Sequence, residues 1–247
     1  MAGEEALVGG EVDSIGIAEA RSALAWWLEA GVDVVVQEDG RDWLKPPAPR
    51  STSRSAAEPA APPNITQPTH ETLAELQQWL ASSMHLPLVS AAAKRVMPQG
   101  PENAAIMLLT DAPTLDDAAA GQPIGGDAWE LTKRMLAAIR IDSGQAYSAS
   151  LSCFHVPGSK MSPQDRETCA DIARRHIRLA KPARLLLLGD GPAQALLGKP
   201  LPLARGHVHK IEGVRAVATF HPRQLINQPS NKSLAWKDLL LLMEDES

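Results

Sequence analysis

Four short apolar runs, Ala104–Leu109, Tyr147–Cys153, Arg184–Leu188 and Val214–Phe220, alternate with stretches of helical periodicity. Each run has strand length, and the chain between successive runs is long enough for a crossover helix. That alternation predicts parallel βαβ units and a sheet covered on both faces. The expected fold is therefore α/β, a three-layer α/β/α sandwich around a central four-stranded parallel sheet. Helices are expected after Thr69-His70-Glu71-Thr72 (Leu73, Leu76, Trp79 and Leu80 on one side), over Trp129–Ile139, Gln164–Ala180 and Pro192–Leu197, and over Ser233–Met243. Residues 84–99 carry no clear period.

The segments before Thr69 read differently. Residues 17–31 have the period of a short amphipathic helix, with Ala20, Leu24, Trp27 and Leu28 together and Gly31 as its stop. Lys45–Pro68 holds seven prolines among Ala, Ser and Thr, too little apolar surface to order itself. The expected organisation is an N-terminal appendage over 1–45, a linker over 46–68 and an α/β domain over 69–247. The appendage offers a surface for a protein partner. Two cysteines in 247 residues make no disulfide framework. With no apolar run of membrane-spanning length and an acidic first segment, a cytoplasmic monomer is expected.

A net charge of −5 excludes a wholly basic nucleic-acid binder, but the charge is unevenly spread. From His155 to Arg215 eleven Lys/Arg stand against five acids. This segment either faces phosphate or is an ordinary solvated helix surface.

Chemistry is expected at strand ends, because open α/β sheets bind ligands outside the carboxyl ends of their strands. The run Val214–Phe220 leads into His221, and Pro222 stops the ladder. His221 is thus either a turn residue or a working imidazole. Asp111 follows Leu109-Thr110, and Ser150 lies near the end of another run. A carboxylate ordering water and an imidazole steadying an anion can share such a cleft. Gly189-Asp190-Gly191 could hold a phosphate at a helix start, or be there for packing. His207 and His209 alternate on one face without a third metal ligand and read best as a solvated strand, and Cys153 and Cys169 read best as buried free thiols.

Taken in order, the motifs resemble those of the family-four uracil-DNA glycosylases. The family's Gly-Glu-Ala-Pro-Gly is similar to Thr110-Asp111-Ala112-Pro113-Thr114, and its Gly-x-Pro-Phe-Val-Gly to Gly121-Gln122-Pro123-Ile124-Gly125-Gly126. The family's Arg-Pro-Pro-Gly-Asn-Arg loop resembles His155-Val156-Pro157-Gly158-Ser159-Lys160. The segment from Leu188 to Gly198 and the terminal Thr219-Phe220-His221-Pro222-Arg223 with Leu225-Ile226 complete the set.

The resemblance implies excision of uracil, or another damaged base, from DNA after the base has left the stack. It implies His221 against the departing base anion and Asp111 as the water-positioning acid. Ala112, Pro113, Ile124 and Ser150 would line the base pocket, with Ile124 at the usual stacking aromatic and Ser150 at the Asn that reads the base edge. Lys160 and Arg223 would hold phosphates, and Leu225 and Ile226 would wedge into the gap left by the base. The family's cluster cysteines align with Ser83, Leu86, Phe154 and Cys169, so no iron–sulfur cluster and no other cofactor is expected. The alternative is an inactive family member that binds DNA or a repair partner through the same cleft.

Overall fold

The computed structural model describes residues 70–90, 93–155 and 161–244. The expected appendage, the linker and Lys160 lie outside the described residues. Seven strands are described: β1 (Lys94–Arg95), β2 (Ile106–Thr110), β3 (Ala146–Ser150), β4 (Phe154–His155), β5 (Arg184–Leu188), β6 (Val208–Ile211) and β7 (Val214–Thr219). The helices are α1 (Leu73–Ser82), α2 (Leu115–Ala120), α3 (Gly126–Ala138), α4 (Pro163–Ala180), α5 (Asp190–Leu197), α6 (Leu201–Ala204), α7 (Pro222–Asn227) and α8 (Lys232–Met243).

The main sheet has the order β3-β2-β5-β7-β6. Its first four strands are parallel, as the alternation requires. Where four strands were expected there are five, and the fifth runs antiparallel. The extra strand arises from a tight hairpin: Ile211 pairs with Val214, and Glu212 and Gly213 both have positive φ, 50° and 83°. Two such residues match the right-handed twist of the flanking strands, so β6 folds back on β7.

Period-two burial builds the layers. Met107, Leu109, Leu185, Leu187, Ala216 and Ala218 face α1, α4, α5 and α6 through one core cluster. Ile106, Leu108, Leu186, Leu188 and Val217 face α3 and α8 through the other. All five β2 residues are buried, the signature of a central parallel strand covered on both sides. Within the first layer Tyr147 Oη lies 2.7 Å from His176 Nε2 and accepts from Gln77 Nε2 at 2.8 Å, tying β3, α4 and α1 together.

Helix ends follow their local chemistry. Thr72 and Glu75 form a reciprocal capping box at α1, and Ser162 with Pro163 starts α4. Outside β3 the irregular segment passes as a strap. Gln99 N donates to Ser148 O at 2.9 Å and Ser148 N to Gln99 O at 2.7 Å, and Gly100 then crosses the Ala146–Tyr147 backbone. No helix among the described residues is long and apolar enough to cross a membrane.

Candidate active site

The chain leaves β2 for β3 on one side and later returns to place β5 on the other. The carboxyl ends of β2 and β5 therefore flank the switch point, where open α/β sheets place their ligands. Asp111 stands just past the end of β2 and Gly189-Asp190-Gly191 leads into α5. Ser150 ends β3 opposite Thr110, and His221 follows β7.

Asp111 is open to solvent at this edge. Its carboxyl is nevertheless crowded by protein, which raises its pKa; nearby Asp190 adds to the rise, while the Ala112 N–H and Arg166 oppose it. The carboxylate lies so close to Gly191 that a Cβ there would come within 2.6 Å of Asp111 Oδ1. The start of α5 thus abuts the protein's own anion, which occupies the place considered for a phosphate.

His221 caps α7. Its Nδ1 accepts from Arg223 N at 3.1 Å, so the ring proton sits on Nε2, which is left to donate elsewhere. Burial pulls its pKa down to about 4; the Arg223 charge acts in the same direction and Asp117 against it. At neutral pH the ring is an uncharged donor. The strand end beneath it is braced: Thr219 Oγ1 donates to Asp238 Oδ2 at 2.8 Å, and Arg205 pairs with Asp238 at 3.0 Å while lying over the Phe220 ring.

The remaining residues divide. Ser150 Oγ is buried with no hydrogen-bond partner among the described residues, an unmet polar group at the same edge. Pro113 is buried, Ala112 half-buried, and Pro113 O accepts from His155 Nδ1 at 2.8 Å. Three of the expected site residues turn inward. Ile124 is 1% exposed, packed in the core with Leu108 and Leu188 rather than standing over an open pocket. Leu225 is also 1% exposed, because α7 turns it inward under α3 and α8, where it lines an apolar groove of about 210 Å³; Ile226 alone projects. Arg223 directs its guanidinium inward to Asp117, at 2.9 Å.

Residues 97–241 match the uracil DNA glycosylase superfamily model. This chain belongs to that superfamily. It is similar to the type-4 uracil-DNA glycosylase of Archaeoglobus fulgidus, 26% identical over 141 residues, which cover 53% of this chain and 71% of the relative. It is also similar to the type-4 uracil-DNA glycosylase of Pyrobaculum aerophilum, 23% identical over 180 residues, 68% of this chain and 92% of the relative.

Against that family the cluster positions are instructive. Leu86 and Phe154 are buried in an apolar cluster with Cys153. Arg95 lies 4.7 Å over the Phe154 ring and donates to Ser83 O at 2.8 Å and to Leu80 O. Burial raises the thiols of Cys153 and Cys169 to about 11 and about 12. Of the four aligned positions only Cys169 carries a thiol, so these residues do not supply the four thiolate or equivalent ligands of an iron–sulfur cluster. His207 and His209 likewise form no metal group: among the described residues no three His, Cys, Asp or Glu gather as ligands, and His209 Nε2 is 2.7 Å from Ala204 O.

Asp117, His155 and the Arg205–Asp238 pair have no role assigned from sequence, although His155 opens the loop compared with the family's and Asp117 is the fourth residue of a Thr-x-x-Asp start at Thr114.

Proposed function

We propose that this superfamily member excises uracil from DNA by metal-independent hydrolysis of its N-glycosidic bond. The reading rests on one observation above all: His221 is uncharged, with Nδ1 occupied and its proton therefore on Nε2, at the edge that also carries Asp111.

The flipped base enters the crevice beyond β2 and β5. As the C1′–N1 bond breaks, its electron pair passes to the base, and the growing charge on uracil O2 meets the Nε2–H of His221. A neutral donor placed where charge develops favours the transition state over the substrate. Asp111 orients a water towards C1′ and takes its proton as the new C–O bond forms. Its raised pKa suits a base better than an ordinary carboxylate would. Ser150 Oγ gains a partner in the base edge, and Ile226 fills the vacated stack, with Lys160 on a phosphate. No cofactor takes part, and the enzyme acts as a cytoplasmic monomer.

The test is incubation with single- and double-stranded uracil DNA and counting of abasic sites. His221→Ala is expected to slow excision about 10²–10³-fold, the usual loss on removing one such donor. No cleavage by the wild type above that variant refutes the reading. The burial of Ile124, which leaves no aromatic or open apolar face from that position to stack on a base, favours a second reading, a non-catalytic DNA binder. Salt-sensitive DNA binding without turnover selects it.

A further inference from the structure

The two groups placed at the reaction centre stand on strands that are not neighbours. β5 lies between β2 and β7, so their ends are roughly 9–10 Å apart, and the two ladders that join them through β5 stop at Leu109 and Thr219, short of Asp111 and His221. A side-chain pair spans the gap. We propose that the Asp117–Arg223 ion pair holds His221 in register with Asp111, so that both its members are positioning residues for the reaction and Arg223 is not a phosphate contact. The inference rests on the glycosylase reading for the roles of His221 and Asp111.

Asp117 is 2% exposed and its carboxylate gathers three segments. Oδ2 accepts from Thr114 N at 2.8 Å and Thr114 Oγ1 at 2.7 Å, fixing the turn three residues after Asp111. Oδ1 accepts from Gly125 N at 2.6 Å and from Arg223 Nη2 at 2.9 Å. The Gly125 contact requires glycine, since a Cβ there would meet Asp116 O at 2.9 Å and Asp117 Cα at 3.0 Å. Arg223 completes the path, because its own N–H holds His221 Nδ1. Burial pushes the Asp117 pKa up, but the bonds from Thr114 and Gly125 and the Arg223 charge outweigh it and hold the carboxyl below its ordinary value. The pair is therefore ionised at working pH.

The test compares Arg223→Gln, Arg223→Lys, Asp117→Asn and the double variant Asp117→Asn/Arg223→Gln, reading kcat and KM on uracil DNA and the titration of His221 by NMR. Loss of the tether is expected to lower kcat about 10–100-fold, as misplacement near 1 Å does, with KM changed little. The double variant should lie close to the worse single one, as for residues acting as a unit. Arg223→Lys should recover part of the loss.

Among the described residues Arg223 and Asp117 are the charged groups bearing on His221, with opposite signs. Removing Arg223 should thus raise the His221 pKa and Asp117→Asn should lower it, a divergence that general loosening does not produce. The inference is overturned if Arg223→Gln keeps kcat while raising KM and reducing the salt slope by about 1, the behaviour of a phosphate contact. It is equally overturned if both single variants move the histidine in one direction. Should Asp117→Asn not fold, the Arg223 variants, which leave Asp117 its bonds to Thr114 and Gly125, decide alone. A wild type without activity refutes the glycosylase reading, while the histidine titration still decides whether the pair governs His221.

Discussion

Gly191→Ala isolates the contribution of Asp111 without replacing it. Gly191 lies in the first turn of α5, where alanine is the better helix former by about 0.5–1 kcal/mol. Its φ is not in the left-handed range, so the backbone accepts a side chain. The new methyl group, however, would stand 2.6 Å from Asp111 Oδ1 and closer still to Cγ and Oδ2. The movable partner is the far end of a short side chain, so the carboxylate swings away by about 1 Å, and an error of that size at a reacting group costs about 10²-fold in rate. Thermal melting should accordingly stay level or rise slightly, while abasic-site formation falls about 100-fold. In an Asp111→Ala background the same glycine change should cost nothing more, because the group it displaces is gone. Activity of Gly191→Ala within threefold of wild type, or an equal penalty with Asp111 absent, would refute the placement of the water-activating acid.

Burial lowers the pKa of His176 to about 4, below its value near 6.5 in the unfolded chain, so the unfolded state binds more protons between these limits. Its contribution is whole above pH 6.5 and falls by about 2 kcal/mol at pH 5, with His221 acting in the same direction. Urea midpoints at pH 7 and 5 should show this, and His176→Gln should flatten the slope; an unchanged slope refutes the assignment. Gly100→Ala meets immovable backbone, with Tyr147 Cα at 2.5 Å from the new Cβ and φ at +131°, and should cost about 2–4 kcal/mol by denaturant unfolding. Asp238→Ala strands Arg205 and the Thr219 hydroxyl and should cost about 3 kcal/mol in the same assay, whereas a loss below about 1 kcal/mol would show the brace to be dispensable.

The sandwich was legible because its determinants are periodic. Ile106–Thr110 and Arg184–Leu188 are continuous apolar runs, and α4 carries its buried residues at helical spacing between a Ser-Pro start and Lys181. Of β6 the solvated alternation around His207 and His209 was legible but its pairing into the main sheet was not, because only Ile211 of its four residues is buried and its turn signal is the pair Glu212-Gly213. β1 and β4, of two residues each, are too short to have a period. At the site, strand ends pointed to His221, Asp111 and Ser150, but not to which side chains turn inward. Leu225 and Ile226 are adjacent apolar residues, and the 100° step of a helix buries one and exposes the other. Asp117 and Arg223 lie 106 positions apart, and no local pattern records a pair that only the closed fold brings together.

The Gln99–Gly100 strap has a consequence for self-association. β3 is an edge of the sheet, and a bare edge of five residues, four of them buried, is a template for a strand from another molecule. The paired bonds between Gln99 and Ser148 occupy that template, and the missing side chain of Gly100 lets the strap lie flat on it. At the opposite edge β6 is short and bears exposed Lys210. A lesion that lifts the strap would therefore convert this domain into a seed for intermolecular β-pairing before its core had opened.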